Sequence, residues 1–308
     1  MEQLTSQIPD LGEAVLVVQG GGARASYSFG AALVALSEGA PRYHSVVCSS
    51  AAALAVAFIR SGQADAVPHL VAEAFDSRRL LSPLRPNKLV DVEFLVRVLV
   101  RERLRLDTVS LRNHTGPRFI IQTTYARTAR PAFFAADELS EPDLWDALVA
   151  TAAIPGLYET PVFLHAQRHL DGGLGDPVPL TELFHQNVKH VTAIWTRPLD
   201  QSQRRPLLAV PLVGRILFRS QSESIRRTLA RGDPQSAIAM NLCRNRDSRV
   251  ICVAPRTSRS ISSRLSRDLR QFWGSAQLGA RDMSVALGIE LDSCVLSVFE
   301  YGRRCGAL

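Results

Sequence analysis

The sequence predicts a layered α/β fold with a mostly parallel central sheet, and two observations lead to this prediction. Short runs of β-forming apolar residues alternate along the chain with longer helical patterns, which is the order typical of α/β proteins. Four of the five strand candidates are apolar almost throughout, as strands covered on both faces of a parallel sheet are. The candidates are Ala14–Val18, Ser45–Cys48, Arg118–Thr123, His190–Trp195 and Arg249–Val253.

Helical patterns lie between and after these strands, and Asp91 and Asp143 have the character of helix starts. The predicted helices are Tyr27–Glu38, Ala51–Ser61, Asp65–Phe75, Asp91–Arg103, Asp143–Thr151, Ser220–Arg231, Ser262–Trp273 and Ala280–Leu291. We expect one α/β domain over residues 14–291, with an irregular excursion at about 197–219. Residues 1–13 and 292–308 are expected to be terminal tails.

Composition narrows the class of protein. The 308 residues carry a net charge of +7 and are 46% hydrophobic, enough for a sizeable core. The excess of arginine indicates either a solvated basic surface or attraction to an anionic membrane or substrate. No nucleic-acid reading motif accompanies the charge, so nucleic acid is not an expected partner. Five cysteines without a CxxC spacing, and seven histidines without ligand spacing, predict neither a disulfide framework nor a metal site.

The location of the protein is predicted from what its sequence lacks. The first residues are polar and acidic, without the apolar core of a secretory signal, and no apolar run is long enough to span a bilayer. A cytoplasmic location is therefore expected. The arginine-flanked apolar stretch Leu207–Phe218 either covers the edge of the core or forms a surface that touches lipid. The second possibility predicts peripheral contact with an anionic membrane.

Three glycines stand between the first strand and the first helix. The run Val15–Val18 leads into Gly20–Gly22 and then Arg24, so bare backbone N–H groups are expected at a helix N-terminus, where negative charge is favoured. By itself this junction fits either a bound phosphate or a stabilised oxyanion.

Two further motifs carry catalytic residue types. Cys48–Ala52 has the small residues of a nucleophile elbow, G-x-S-x-G, with Ser50 at the serine position. Taking Ser49 as the nucleophile would put Val47 and Ala51 at the glycine positions, which fits the motif less well. Asp171–Gly173 is an aspartate in a tight Gly-Gly turn, and a carboxylate beside a serine hydroxyl can act as its general base.

These motifs, in this order, resemble those of the bacterial type of the patatin-like phospholipase family. Gly20–Ala25 corresponds to the family pattern G-G-G-x-R-G, Cys48–Ala52 to G-x-S-x-G, and Asp171–Gly173 to D-G-[GA]. Ala150–Tyr158 is similar to the small-residue and Pro-Gly segment ahead of the family's aspartate. The resemblance covers most of residues 14–290. The resemblance favours an oxyanion over a bound phosphate at the glycine loop, and the lysine of a Walker-type phosphate loop does not follow the glycines.

The resemblance implies a three-layer α/β/α fold and a serine acyl hydrolase acting on lipid esters, phospholipase A or lysophospholipase in type, without metal or cofactor. Phospholipid or another acyl-ester lipid is the implied partner. The implied site consists of the nucleophile Ser50, its base Asp171, the oxyanion-hole residues Gly20, Gly21, Gly22 and Ala23, and the supporting residues Arg24, Gly172 and Gly173.

This chain departs from the family pattern at three glycines, which are replaced by Ala25, Cys48 and Ala52. The last two add side chains where strand and helix nearly touch, so reduced activity is one expectation. Two alternatives to a hydrolase therefore stay open. One is an acyltransferase that uses the same acyl-enzyme, and the other is a catalytically weak binding or regulatory protein that retains the fold.

Overall fold

A computed structural model describes residues 9–82, 84–85, 88–113, 116–200, 218, 220–232 and 234–305 of the chain. One sheet of eight strands runs through the described residues. The strands are β1 (Ala14–Val18), β2 (Ser45–Ser49), β3 (Arg118–Tyr125), β4 (Pro131–Ala135), β5 (Val162–Leu164), β6 (Gln167–Leu170), β7 (His190–Ile194) and β8 (Val250–Val253).

All five strands predicted from the sequence are present, and they form the parallel part of the sheet. They lie in the order β3-β2-β1-β7-β8, and every neighbouring pair among them is parallel. The other three strands, β4, β5 and β6, make antiparallel pairs on the β3 side. The sheet is therefore mixed, with a parallel core.

Helices of the described residues surround the sheet. They are α1 (Ala25–Ala35), α2 (Ala51–Arg60), α3 (Val67–Asp76), α4 (Thr108–Arg112), α5 (Glu141–Thr151), α6 (Leu180–His185), α7 (Glu223–Arg231), α8 (Pro234–Arg244), α9 (Leu269–Leu287) and α10 (Ser293–Cys305). A π-helical segment, Phe94–Arg103, follows Asp91, whose carboxylate accepts a hydrogen bond from the Phe94 N–H at 3.0 Å.

Both faces of the sheet are covered, which explains its apolar strands. Leu16 and Val18 of β1 pack into a hydrophobic cluster with α1, α2, α3, α5, α9 and α10. Val15 and Val17 point the other way, into a second cluster that includes α6 and α8. Successive strand residues alternate between these faces, so each must be apolar. The result is the predicted three-layer α/β/α fold.

The predicted helix Ser262–Trp273 is wrong at its start. Residues 262–268 are not helical, and Asp268 caps α9, which then runs without a break through the expected gap at 274–279. Gly279 does not interrupt the helix, because it allows a close helix crossing. A Cβ there would lie 2.0 Å from the carbonyl oxygen of Tyr27 in α1.

The C-terminal part of the described chain is helical. Within the segment expected to be a tail, α10 buries Val295, Val298 and Phe299 in the same cluster as α1 and α9. The stretch Leu207–Phe218 lies outside the described residues except for Phe218, which is buried beside α7. No helix in the described part of the chain has the length and hydrophobicity needed to cross a bilayer.

Candidate active site

Ser50 occupies a sharp turn between β2 and α2. Its φ of 56° and ψ of −141° lie in a region that costs a residue with a side chain about 1–3 kcal/mol. Cys48 and Ala52, at the glycine positions of the motif, are fully buried, and the chain makes this turn with both side chains present. Burial raises the pKa of the Cys48 thiol well above its usual value, so this thiol stays protonated and unreactive.

The glycine loop lies directly against the Ser50 turn. A Cβ added at Gly20 would lie 2.5 Å from Ser50 Cβ and 2.4 Å from the carbonyl oxygen of Ser49. Only glycine allows the two segments to approach this closely. Gly21 and Gly22 follow with φ values of 153° and 60°, which also favour glycine.

The loop's four amide groups differ in what they bind. The Gly20 N–H donates to Ser49 Oγ at 3.2 Å, and the Ala23 N–H donates to the carbonyl oxygen of Arg264 at 2.9 Å. Among the hydrogen bonds of the described residues, none uses the N–H of Gly21 or Gly22. These two amides, at the end of β1, are therefore the ones available to a ligand.

The topology of the sheet brings Asp171 to the same place. Strand β2 pairs with β3 only as far as Gln122, whereas β6 pairs with the last two residues of β3. The chain therefore leaves β6 at Asp171, beyond the end of β2. Asp171 Oδ1 accepts the Gly173 N–H at 2.8 Å. A Cβ at Gly172 would lie 2.0 Å from the carbonyl oxygen of Gln122, so the turn needs glycine there.

Thr151, at the end of α5, joins the serine turn to the aspartate turn. Its hydroxyl accepts the Ser50 N–H at 2.8 Å and donates to the carbonyl oxygen of Gln122 at 2.6 Å. Its own carbonyl oxygen accepts the Gly172 N–H at 3.1 Å. The Gln122 side chain in turn donates to the carbonyl oxygen of Gly172 at 2.9 Å. One buried network thus sets the position of both turns.

Ser50 and Asp171 line one cavity of about 1050 Å³ together with the glycine loop. Both side chains are nearly buried, with 5% and 6% of their surfaces exposed. Apolar side chains from the first three helices and from the segment before the π-helix line the rest of the cavity. They include Phe29, Leu54, Val67, Leu70, Val71, Phe75, Leu80 and Val92. A long apolar group can therefore be bound beside a polar end that holds a serine and a carboxylate.

Eight of the nine residues singled out from the sequence line this cavity. They are Ser50, Asp171, Gly20, Gly21, Gly22, Ala23, Arg24 and Gly173. Gly172 is packed against the backbone of β3 instead.

Sequence reasoning missed three residues of the site: Thr151, Gln122 and Arg264. Thr151 lies in the small-residue segment already noted, and Gln122 interrupts an apolar strand. Nothing in the local sequence distinguishes Arg264 from the other arginines.

The structure combines a three-layer α/β/α fold with a strained serine in the turn between a parallel strand and a helix. This arrangement is a nucleophile elbow, which is typical of α/β serine hydrolases. The family follows from comparison with known proteins. Residues 16–184 match the model of the patatin-like phospholipase family. This match covers more than half of the chain, and the protein belongs to that family.

Two known proteins are similar to this chain. The uncharacterized protein YjjU of Escherichia coli (strain K12) is 30% identical over 128 residues, which are 41% of this chain and 34% of that protein. The chain thus spans about a third of the length of this relative. The crystal structure of VipD from Legionella pneumophila aligns with 96% of this chain and 74% of its own, at 11% identity and a TM-score of 0.44.

Replacing Thr151 with valine is expected to lower kcat for ester hydrolysis by about 10- to 100-fold. Valine has the same shape but leaves the buried Ser50 N–H without an acceptor, a loss of about 1–3 kcal/mol. Steady-state kinetics on a soluble ester measure the effect, and Thr151→Ser, which keeps the hydroxyl, should recover most of the rate. A valine variant with wild-type kcat would contradict the positioning role.

The buried His169, two residues before Asp171, predicts a loss of stability in acid. Its Nδ1 lies 2.8 Å from Thr123 Oγ1. Burial, with a smaller contribution from His165, lowers the pKa of His169 from 6.5 to about 4. Below pH 6.5 His169 is protonated in the unfolded chain, whereas in the folded chain it stays neutral down to about pH 4. The free energy of unfolding should therefore fall by about 3 kcal/mol across that range.

Urea unfolding at several pH values between 7 and 4 measures this effect. His169→Gln should lose most of the slope, because it removes the titrating group. His185→Gln, at an exposed position in α6, is the matched control and should keep the wild-type slope. Parallel curves for the wild type and His169→Gln would refute the prediction.

Proposed function

We propose that this protein hydrolyses lipid acyl esters through a Ser50–Asp171 dyad, as a phospholipase A or lysophospholipase, without a metal. The observation that carries the proposal is the shared cavity, in which a strained serine, a buried aspartate and two unused glycine amides lie beside apolar walls. Each part matches one requirement of acyl transfer: a nucleophile, a base, donors for an oxyanion and a place for the acyl chain.

In the first half of the proposed reaction, Asp171 takes the proton of the Ser50 hydroxyl while Ser50 Oγ attacks the ester carbonyl carbon. The carbonyl oxygen becomes an oxyanion. Collapse of this intermediate expels the alcohol, which leaves with the proton from Asp171. The acyl group is then bound to Ser50 as an ester. In the second half, a water molecule deprotonated by Asp171 attacks the acyl-enzyme in the same way. The fatty acid is released, and Ser50 Oγ regains its proton from Asp171.

The proposed oxyanion hole consists of the Gly21 and Gly22 N–H groups. The sequence assigned Gly20 and Ala23 to it as well, but their N–H groups donate to Ser49 Oγ and to the Arg264 carbonyl oxygen. We assign those two residues to holding the loop in shape. The amino end of α2 adds its dipole beside the alkoxide of Ser50. Donors fixed in this way stabilise the transition state without reorganising.

The proposed substrate is a phospholipid or a related acyl-ester lipid. We also propose that the protein works in the cytoplasm and touches anionic membrane surfaces, to which its net charge of +7 would draw it. The apolar stretch Leu207–Phe218, from which such contact was predicted, lies mostly outside the described residues.

A fluorophosphonate probe tests the nucleophile. The probe should label the protein once, and peptide mass mapping should place the adduct on Ser50.

Fatty acid should be released from phospholipid equally with and without EDTA, which tests the independence from metal. The product should be free acid and not an ester of added glycerol, which separates hydrolysis from acyl transfer. Labelling at Ser49 would contradict the dyad. A protein that resists labelling, while a standard serine hydrolase in the same tube reacts, is a binding protein instead.

A further inference from the structure

Arginines outnumber acidic residues in the lining of the cavity. The charged residues that line it in the described part of the chain are Arg24, Arg197, Arg264, Arg267, Asp171 and Asp200. Four arginines and two aspartates thus line a cavity whose other walls are largely apolar. Arginine remains charged at any working pH, so this excess is permanent. A net positive field of this kind attracts a negatively charged group into the cavity that contains Ser50.

Arg264 is the arginine whose backbone is tied to the glycine loop. Its carbonyl oxygen accepts the Ala23 N–H at 2.9 Å, and a Cβ at Gly22 would lie 2.4 Å from the same oxygen. The segment that carries Arg264 is anchored on both sides. On one side the Ser262 N–H donates to Ser275 Oγ at 2.8 Å.

On the other side, Arg267 Nε donates to the carbonyl oxygen of Phe75 at 2.6 Å, and its Nη2 donates to that of Ser77 at 3.0 Å. The guanidinium of Arg267 is thus fixed on the end of α3. Because both anchors hold the backbone, the side chain of Arg264 starts from a fixed point beside the proposed oxyanion hole.

Arg264 lines the same cavity as Asp171, and the residue is also accessible to solvent. Partial desolvation by the surrounding protein lowers the pKa of its guanidinium, whereas the nearby Asp171 carboxylate raises it. The two charges attract each other across the polar end of the site. An anionic group of a bound substrate can share this guanidinium, since its fork of five N–H donors serves more than one acceptor.

We propose that Arg264 recognises the head group of the substrate and selects acyl lipids whose polar end carries a net negative charge. The inference rests on the proposed function and makes it more specific. A phosphate with no counter-charge gains charge-assisted hydrogen bonds at this position. A zwitterionic head group would bring its ammonium group into the field of four arginines, where like charges repel.

The test measures binding to the Ser50→Ala protein, so it does not depend on turnover. The probes are dihexanoyl phosphatidylglycerol and dihexanoyl phosphatidylcholine, used as monomers to avoid the charge of a membrane surface. Calorimetry should show a Kd about 10- to 100-fold lower for phosphatidylglycerol. Adding Arg264→Gln should remove most of this ratio, and adding Arg264→Lys should keep part of it. Arg270→Gln is the matched control, since Arg270 is exposed and does not line the cavity.

Several outcomes would overturn the proposal. One is an equal Kd for both lipids, and another is an Arg264→Gln variant that weakens both lipids by the same factor, which would indicate a structural role. Inorganic phosphate that binds as tightly as phosphatidylglycerol would make this a general anion site. Hydrolysis of a neutral p-nitrophenyl ester by the wild type tests the proposed function separately. Selective binding without hydrolysis would leave head-group recognition standing and refute the hydrolase.

Discussion

Replacing Ser50 with alanine is expected to lower ester hydrolysis by about 10⁵-fold or more, because it removes the only group that the proposed mechanism uses to form the acyl-enzyme. The substitution is small. Alanine has the same strain at φ 56°, and the hydrogen bond from the residue 50 N–H to Thr151 Oγ1 does not involve the side chain. Initial rates on a p-nitrophenyl ester measure the loss, and thermal unfolding should show an intact fold.

Ser49→Ala is the matched control, because Ser49 is the neighbouring hydroxyl in the same turn. Its Oγ accepts the Gly20 N–H at 3.2 Å and so supports the glycine loop. Removing it leaves a buried N–H without an acceptor, which predicts a rate loss of about 10- to 100-fold. A larger loss for Ser49→Ala than for Ser50→Ala would show that the nucleophile has been assigned to the wrong serine.

The elements that could be predicted from sequence are those whose pattern is set by burial on both faces. Strand β1 is apolar at every position and β7 is largely apolar, and this makes them visible as short runs of apolar residues. The short strands β5 and β6 lack that pattern. Phe163 of β5 is exposed and β6 contains an arginine and a histidine. These strands join the sheet only because β6 pairs with β3 and β5 pairs with β6.

Glycine was informative in the loops and misleading in α9. Near Ser50 the glycines of the loop are required by close approach and by positive φ, as the motif predicts. Gly279 reads locally as a helix breaker. The role of Gly279 depends on the neighbouring helix, because the close packing of α1 against α9 leaves no room for a side chain there. A local pattern cannot distinguish these two uses of the same residue.

The residues of the candidate site also fall into those that a sequence motif predicts and those that only the assembled fold brings in. Ser50, Asp171 and the three glycines stand in motifs with their own local geometry, and these motifs in their order were enough to propose them as site residues. Thr151 acts on Ser50 across 101 positions of the chain, and Arg264 reaches the glycine loop from beyond the residues that match the family model. Such contacts arise only when the sheet is assembled, which is why no spacing in the sequence predicts them.

Asp171→Asn is the second substitution for which we expect a large loss, about 10³- to 10⁴-fold in kcat. Asparagine keeps the size of the side chain, and its carbonyl oxygen can still accept the Gly173 N–H that Oδ1 accepts at 2.8 Å. Its amide cannot take a proton from the Ser50 hydroxyl, so the nucleophile is no longer activated. Single-turnover measurements with a p-nitrophenyl ester should place the loss in the acylation step, while substrate binding changes little.

The nearby Asp176 provides a matched control for this prediction. It is also a buried carboxylate in the same glycine-rich segment, with its Oδ1 3.4 Å from the Val178 N–H, but it does not line the catalytic cavity. Asp176→Asn should therefore lower the free energy of unfolding by about 1–2 kcal/mol. Its effect on kcat should be small. If both substitutions lowered kcat equally, the loss would come from distortion of the shared turn, and Asp171 would not be the base. A loss confined to Asp171→Asn, at unchanged unfolding free energy, requires a carboxylate that acts on the reacting hydroxyl.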